Sequence, residues 1–107
     1  MSATQMLVYY STATFEITPE AAVTHIAPIL KSARKNNPEH GVTGALFLGS
    51  GYFMQILEGD REAVSRAFTR IIPDPRHKDI VVVGAGPIKQ SYFPDWSMGF
   101  FDGEQNT

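Results

Sequence analysis

In the stretch Gly51-Tyr52-Phe53-Met54-Gln55-Ile56-Leu57-Glu58-Gly59 a glutamine stands among residues that otherwise read as a buried strand. An amide taken out of water without partners costs roughly 1 to 3 kcal/mol. Gln55 must therefore find hydrogen bonds within the protein or in something the protein holds. Tyr9, in the run Met6-Leu7-Val8-Tyr9-Tyr10-Ser11, adds a phenol that can donate and accept, and Asn36 and Asn37 add two neutral amides. Together these side chains suit recognition of a polar group by neutral hydrogen bonding. Each also has an ordinary explanation. A buried glutamine usually bonds a loop backbone, a strand tyrosine is normally core, and Asn-Asn-Pro is a helix stop.

Other residue types point to less. Gly84-Ala85-Gly86 resembles a dinucleotide fingerprint, but Pro87 follows and no helix opens there, so it reads as a turn. His25, His40 and His77 lack the close pairing of a metal site. Glu58 and Asp60 could form a carboxylate pair for acid-base work, although capping of a following helix explains Asp60 more simply. The chain contains no cysteine, which excludes disulfides, thiolate metal sites and a catalytic thiol.

Length and composition set the frame. With 107 residues the chain forms one domain with a single core. An apolar fraction of 43% is ordinary for a globular protein. A net charge of -2 gives no electrostatic reason to bind nucleic acid or an anionic membrane. No signal peptide and no membrane-spanning run is visible, so a cytoplasmic protein is expected.

The elements that must position these residues follow in a clear order. Met6 to Ser11 is a strand. Thr18-Pro19-Glu20 opens a helix whose apolar face carries Ala22, Ile26, Ile29, Leu30 and Ala33, with a kink expected at Pro28 and an end at Asn36-Asn37-Pro38. Gly44 to Leu48, the turn Gly49-Ser50-Gly51 and the glutamine stretch form a hairpin. Asp60 caps a second helix with Val64, Ala67, Phe68 and Ile71 on one face, ending before Pro73-Asp74-Pro75. Ile80 to Val83 is a strand, and Tyr92 to Phe101 is another, interrupted by Pro94. The order β-α-β-β-α-β-β predicts an α+β, ferredoxin-like fold, a mixed five-stranded sheet with two helices on one face. Strand alternation puts Gln55 on one face with Phe53 and Leu57, and Met54 and Ile56 on the other.

Five segments, taken together, resemble the BLUF family of blue-light sensors that use FAD. They are Leu7-Val8-Tyr9-Tyr10-Ser11; Asn36-Asn37-Pro38 with Gly41-Val42-Thr43-Gly44; Phe53-Met54-Gln55-Ile56-Leu57-Glu58-Gly59; Arg70-Ile71 with Asp74 and Arg76-His77; and Phe93 with Trp96-Ser97-Met98. The resemblance implies that the flavin lies between the two helices over the sheet. It implies FAD as cofactor, with FMN or riboflavin as possible substitutes, and Asn36, Asn37, Gln55, Arg70, Asp74 and His77 as its contacts. Tyr9 and Gln55 would form the photochemical switch, in which electron and proton transfer from the tyrosine rearranges the glutamine's hydrogen bond to the flavin and reversibly shifts absorption to the red. Trp96 and Met98 would relay the state of the glutamine. No covalent adduct forms in this family, so the absence of cysteine is no obstacle.

By that resemblance residues 1–101 are the photosensory domain, without enzymatic turnover, and residues 102–107 a polar tail where relatives continue into cap helices or an output domain. The partners implied are a second copy of the chain or a separate output protein, with no nucleic acid and no membrane. Ala33 departs from the family, standing where many relatives carry serine, and Pro28 and Pro73 are unexpected. Two other classes compete: an acylphosphatase-like small enzyme, whose phosphate-cradling loop this chain lacks, and a cofactor-free ferredoxin-like interaction module.

Overall fold

The computed structural model describes residues 4–103, the side chain of Ala22 excepted. Five strands form one sheet in the order β4-β1-β3-β2-β5. They are β1 (Gln5–Ala13), β2 (Thr43–Gly49), β3 (Tyr52–Gly59), β4 (His77–Pro87) and β5 (Gly99–Asp102). β1 lies between β3 and β4, antiparallel to both, and β2 pairs antiparallel with β3 and parallel with β5. This is the ferredoxin-like arrangement with a fifth strand at one edge, the mixed sheet expected from the order of elements.

The β2–β3 hairpin closes through Ser50 (φ 54°) and Gly51 (φ 83°). Two consecutive positive φ values make the turn whose twist matches that of the strands it joins. Register then follows: Tyr9 is opposite Gln55, and Gln55 is opposite Leu46. Residues opposite one another point to the same face. The inner face therefore carries Tyr9, Leu46, Phe53, Gln55 and Leu57, and the outer face Tyr10, Phe47, Tyr52, Met54 and Glu58.

Helices cover the inner face. α1 (Pro19–Ala21), a wide π turn (Ala22–Ile26) and α2 (Ala27–Glu39) run on from one another, and α3 (Arg61–Ile71) packs against β1 and β3. Thr18 caps the first helix as anticipated, its Oγ1 accepting the Ala21 N–H at 3.2 Å. The irregularity expected from Pro28 takes the form of the π turn just ahead of it, the wider coil accommodating a residue with no N–H. Asp60 occupies the N-cap position of α3, where its carbonyl accepts the Val64 N–H at 2.9 Å; its side chain makes no capping hydrogen bond. The core joins both layers: Ile26, Val42, Leu46, Leu48, Phe53, Leu57, Val64, Ala67 and Met98. Ile29, Leu30, Ala33, Phe68 and Ile71 pack around it, while the side chain of Ala22, expected on the same helix face, lies outside the described residues.

Three expectations are corrected. Asn36-Asn37-Pro38 does not end the first helix, which continues through Glu39. A proline in the last turn forfeits one backbone bond, and the end is set instead by Gly41 (φ 70°), which lets Val42 N–H reach the Asn37 carbonyl at 2.8 Å and Gly41 N–H reach that of Pro38 at 3.3 Å. Gly84-Ala85-Gly86 is not a turn: it extends β4, paired with Val8, Leu7 and Met6. The extra residue between the pairs Tyr9–Val82 and Val8–Gly84 is a bulge, and glycine is tolerated at this sheet edge. Finally, the last strand is only Gly99–Asp102, so Trp96 and Met98 lie in the preceding loop, and Asp102, read as the start of the tail, belongs to β5. Residues 104–107 of that tail lie outside the described residues.

Candidate functional site

Between α2, α3 and the inner face lies an open-mouthed cavity of about 180 Å³. Its floor is Tyr9, Leu46, Phe53, Gln55 and Leu57; α2 contributes Ile29, Ser32, Ala33, Asn36 and Asn37; α3 contributes Ala67, Arg70 and Ile71; and Asp74, Arg76 and His77 complete the rim. Apolar walls with a few convergent polar groups are what ligand sites present.

Strand pairing brings the tyrosine and the glutamine together. Both are buried, Tyr9 at 2% and Gln55 at 5% exposure, and the Tyr9 hydroxyl donates to Gln55 Oε1. Gln55 Nε2 donates in turn to Met98 Sδ at 3.6 Å. A thioether can only accept, so the orientation of the amide follows from its neighbours: nitrogen toward sulfur, oxygen toward the phenol. Burial pushes the Tyr9 phenol well above its ordinary range, and the charge of Asp74 adds to the effect. The hydroxyl therefore keeps its proton and remains a donor at neutral pH.

The remaining expected residues divide. Asn37 is buried and lines the cavity, its Nδ2 donating to the Ser97 carbonyl at 2.8 Å. Asn36, also on the wall, donates to Ser32 Oγ at 3.2 Å. Arg70 lines the cavity from an exposed position. Asp74 is bound by the Arg76 guanidinium, with contacts of 2.6 to 3.2 Å. That hydrogen-bonded pairing outweighs burial and holds the Asp74 carboxyl below its usual range. His77 lies on the rim with both ring nitrogens engaged within the chain. Nε2 donates to the Ile71 carbonyl at 2.8 Å, and Nδ1 is 2.8 Å from Ser11 Oγ.

Met98 and Trp96 part company. Met98 is buried at 2% exposure against Gln55, whereas Trp96 is 42% exposed and packs between Phe93 and Phe101, away from the cavity. The segment is fixed by Gly44 N–H to the Trp96 carbonyl at 3.0 Å and by Arg34 Nε to the Met98 carbonyl at 3.1 Å. Sequence reading did not name Ser32, in step with Ile29, Ala33 and Asn36 on α2, and gave no site role to Ile29, placed there as core, or to Arg76, quoted only within a matching segment. Helical spacing would have shown Ser32 as well. Among the described residues no cluster of metal-ligating side chains occurs.

The molecule is thus a ferredoxin-like sheet with a buried Tyr–Gln–Met chain beneath a cavity whose floor and α2 wall carry neutral polar side chains and whose rim carries charged ones. Residues 5–99 match the BLUF family model, sensors of blue light using FAD, and the chain belongs to that family. Among curated relatives, the photoactivated adenylate cyclase subunit beta of Euglena gracilis is 34% identical over 68% of this chain and 9% of its own. The blue light- and temperature-regulated antirepressor BluF of Escherichia coli K12 is 35% identical over 61% and 16%. The chain thus spans a small part of these relatives' length. Among solved structures, the BLUF protein BlrB in its dark state superposes with a TM-score of 0.88 at 32% identity, covering 98% of this chain and 76% of that one. A bacterial light-regulated adenylyl cyclase gives 0.88 at 32%, covering 97% and 29%.

Proposed function

We propose that this chain is a photosensory module that binds FAD without a covalent bond in the cavity between α2, α3 and the sheet, and signals by rearranging the Gln55 amide. The observation that carries the reading is the buried chain that runs from Tyr9 and Gln55, on the cavity floor, to Met98. When bound, the flavin supplies the blue-light chromophore and, once excited, a strong oxidant.

The chain supplies the rest. Apolar side chains from α2 and the sheet exclude water from the ring site. Asn37, whose Nδ2 is occupied by the Ser97 carbonyl, brings an amide oxygen as an acceptor. Asn36 and Arg70 add polar contacts on the helix walls, and Asp74 and His77 shape the rim with their polar atoms already engaged. Tyr9 would serve as donor of an electron and its hydroxyl proton to the excited flavin and would recover both, so that no net oxidation remains. Gln55 Oε1, which accepts that hydroxyl, is the first atom on the proton's path. Rotation or tautomerisation of the amide then exchanges donor and acceptor. A rotated amide turns its oxygen toward Met98 Sδ, two acceptors face one another, and the hold on Met98 is lost. Met98 thereby relays the switch. Trp96 follows through the same loop, and a second copy of the chain or an output protein reads the change. No substrate is turned over.

Absorption spectra of the purified protein in the dark, directly after blue light and after dark recovery test this. A flavin spectrum that shifts red and relaxes back is expected. A colourless protein that FAD cannot reconstitute overturns the reading, and flavin bands that never shift would reduce it to cofactor binding.

A further inference from the structure

Glu58 is the most deeply buried acid described, 1% exposed on the outer face of β3, and has no place in the cavity. Its carboxylate gathers donors from two directions. Thr43, its cross-strand neighbour, gives a hydroxyl at 3.2 Å; the loop after β4 gives the Ser91 hydroxyl at 2.5 Å, Tyr92 N–H at 2.7 Å and Phe93 N–H at 2.9 Å. Bonds to an ionised acceptor are about twice as strong as neutral ones. The same loop, only a few residues later, delivers Met98 to Gln55.

We propose that Glu58 is a positioning residue for the switch: it anchors the loop at residues 91–93 so that Met98 returns to Gln55 after each excursion. The inference rests on the reading of Tyr9, Gln55 and Met98 given above. Gln55 and Glu58 stand three positions apart on one strand and face opposite sides, so β3 carries both the moving contact and the fixed one. The loop is held at two points. Glu58 grips 91–93, and Gly44 N–H, Asn37 and Arg34 grip the carbonyls of Trp96, Ser97 and Met98. Pro94 and Asp95 alone lie between. When the amide releases Met98 Sδ, the charged anchor keeps the loop within reach, and re-formation of the bond is a local event. A loosened anchor lets the loop sample positions from which Met98 must first come back.

Glu58→Gln places an NH2 opposite the Tyr92 N–H, a donor facing a donor, and Ser91→Ala removes one hydroxyl without altering the strand. Dark recovery of the red-shifted state is expected to slow about fivefold in Glu58→Gln and by less in Ser91→Ala, the equivalent of one hydrogen bond's net stabilisation. The size of the red shift stays that of the parent, because Tyr9 and Gln55 are untouched. Independently of the light cycle, amide exchange at Tyr92 and Phe93 in the dark should accelerate in both variants. Parent-like recovery in both, even with lowered thermal stability, would assign Glu58 to the fold alone and overturn the proposal. So would unchanged exchange at Tyr92 and Phe93. Absence of any red shift in the parent protein would overturn the photosensory reading itself, and this one with it.

Discussion

The two faces of the sheet solve opposite problems with the same strand. On the inner face β3 presents Gln55 to a neutral phenol and a thioether, and the thioether is among the weakest acceptors a protein has. On the outer face, three residues on, it presents Glu58 to two hydroxyls and two backbone N–H groups. Burial alone would push the Glu58 carboxyl up, but these hydrogen bonds more than offset it and hold the group below its ordinary value of 4.5. On the proposed reading, the network that changes has neutral members and a partner that can be released at little cost. The one that holds has an ion with its donors in place.

The sharpest way to break this contrast is on the inner face. Tyr9→Phe and Gln55→Leu should each retain FAD and lose the normal light response entirely; a normal red shift in either would remove both residues from their roles. Next in size is Glu58→Ala, which leaves buried backbone donors without their acceptor. Chemical unfolding should show a loss of about 3 kcal/mol with FAD still bound, and a loss below about 1 kcal/mol would mean that water replaces the carboxylate freely.

Acid should separate the faces further. Glu58 and Asp74 have folded-state values below their ordinary ones, so the stability they contribute is present above the unfolded value and lost as pH falls through the folded one. Unfolding free energy measured from pH 6 downward should therefore drop in the acid range, and less steeply in Glu58→Gln. The smallest effect is expected from Met98→Leu, which conserves volume and removes only the sulfur. Stability should change by less than about 1.5 kcal/mol, while the dark-state spectrum or recovery rate changes; a variant identical to the parent in both would mean that the sulfur contact is incidental.

Much of the inner face was legible in advance because it depends on period and register. Alternation put Gln55 with Phe53 and Leu57, and the turn at Gly49-Ser50-Gly51 fixed the hairpin that sets Leu46 opposite Gln55. Partners for Gln55 were not legible, since Tyr9 lies 46 positions away and Met98 43. Family resemblance, not local pattern, joined them. The outer clamp was less accessible still: three of the four donors to Glu58 come from a loop 33 to 35 positions along the chain, two of them backbone groups with no sequence signature. Gly84-Ala85-Gly86 misled for a different reason. Glycines usually punctuate, but an edge strand that needs only backbone pairing with β1 tolerates them. Likewise Pro38 signalled an end that Gly41 in fact provides, a short distance later.

The π turn ahead of Pro28 gives the cavity wall a length buffer. Such a turn amounts to one surplus residue in a helix, placed here between the entry segment Pro19–Ala21 and the stretch that lines the cavity. Deleting one residue within Ala22–Ile26 would restore ordinary winding with little change of phase on either side, so that the entry segment stays where it is and Ile29, Ser32, Ala33, Asn36 and Asn37 keep their phase toward the cavity. Variation in the length of the β1–α2 connection can thus be absorbed before it reaches the site. The irregular coil insulates the geometry of the wall from the arithmetic of the chain.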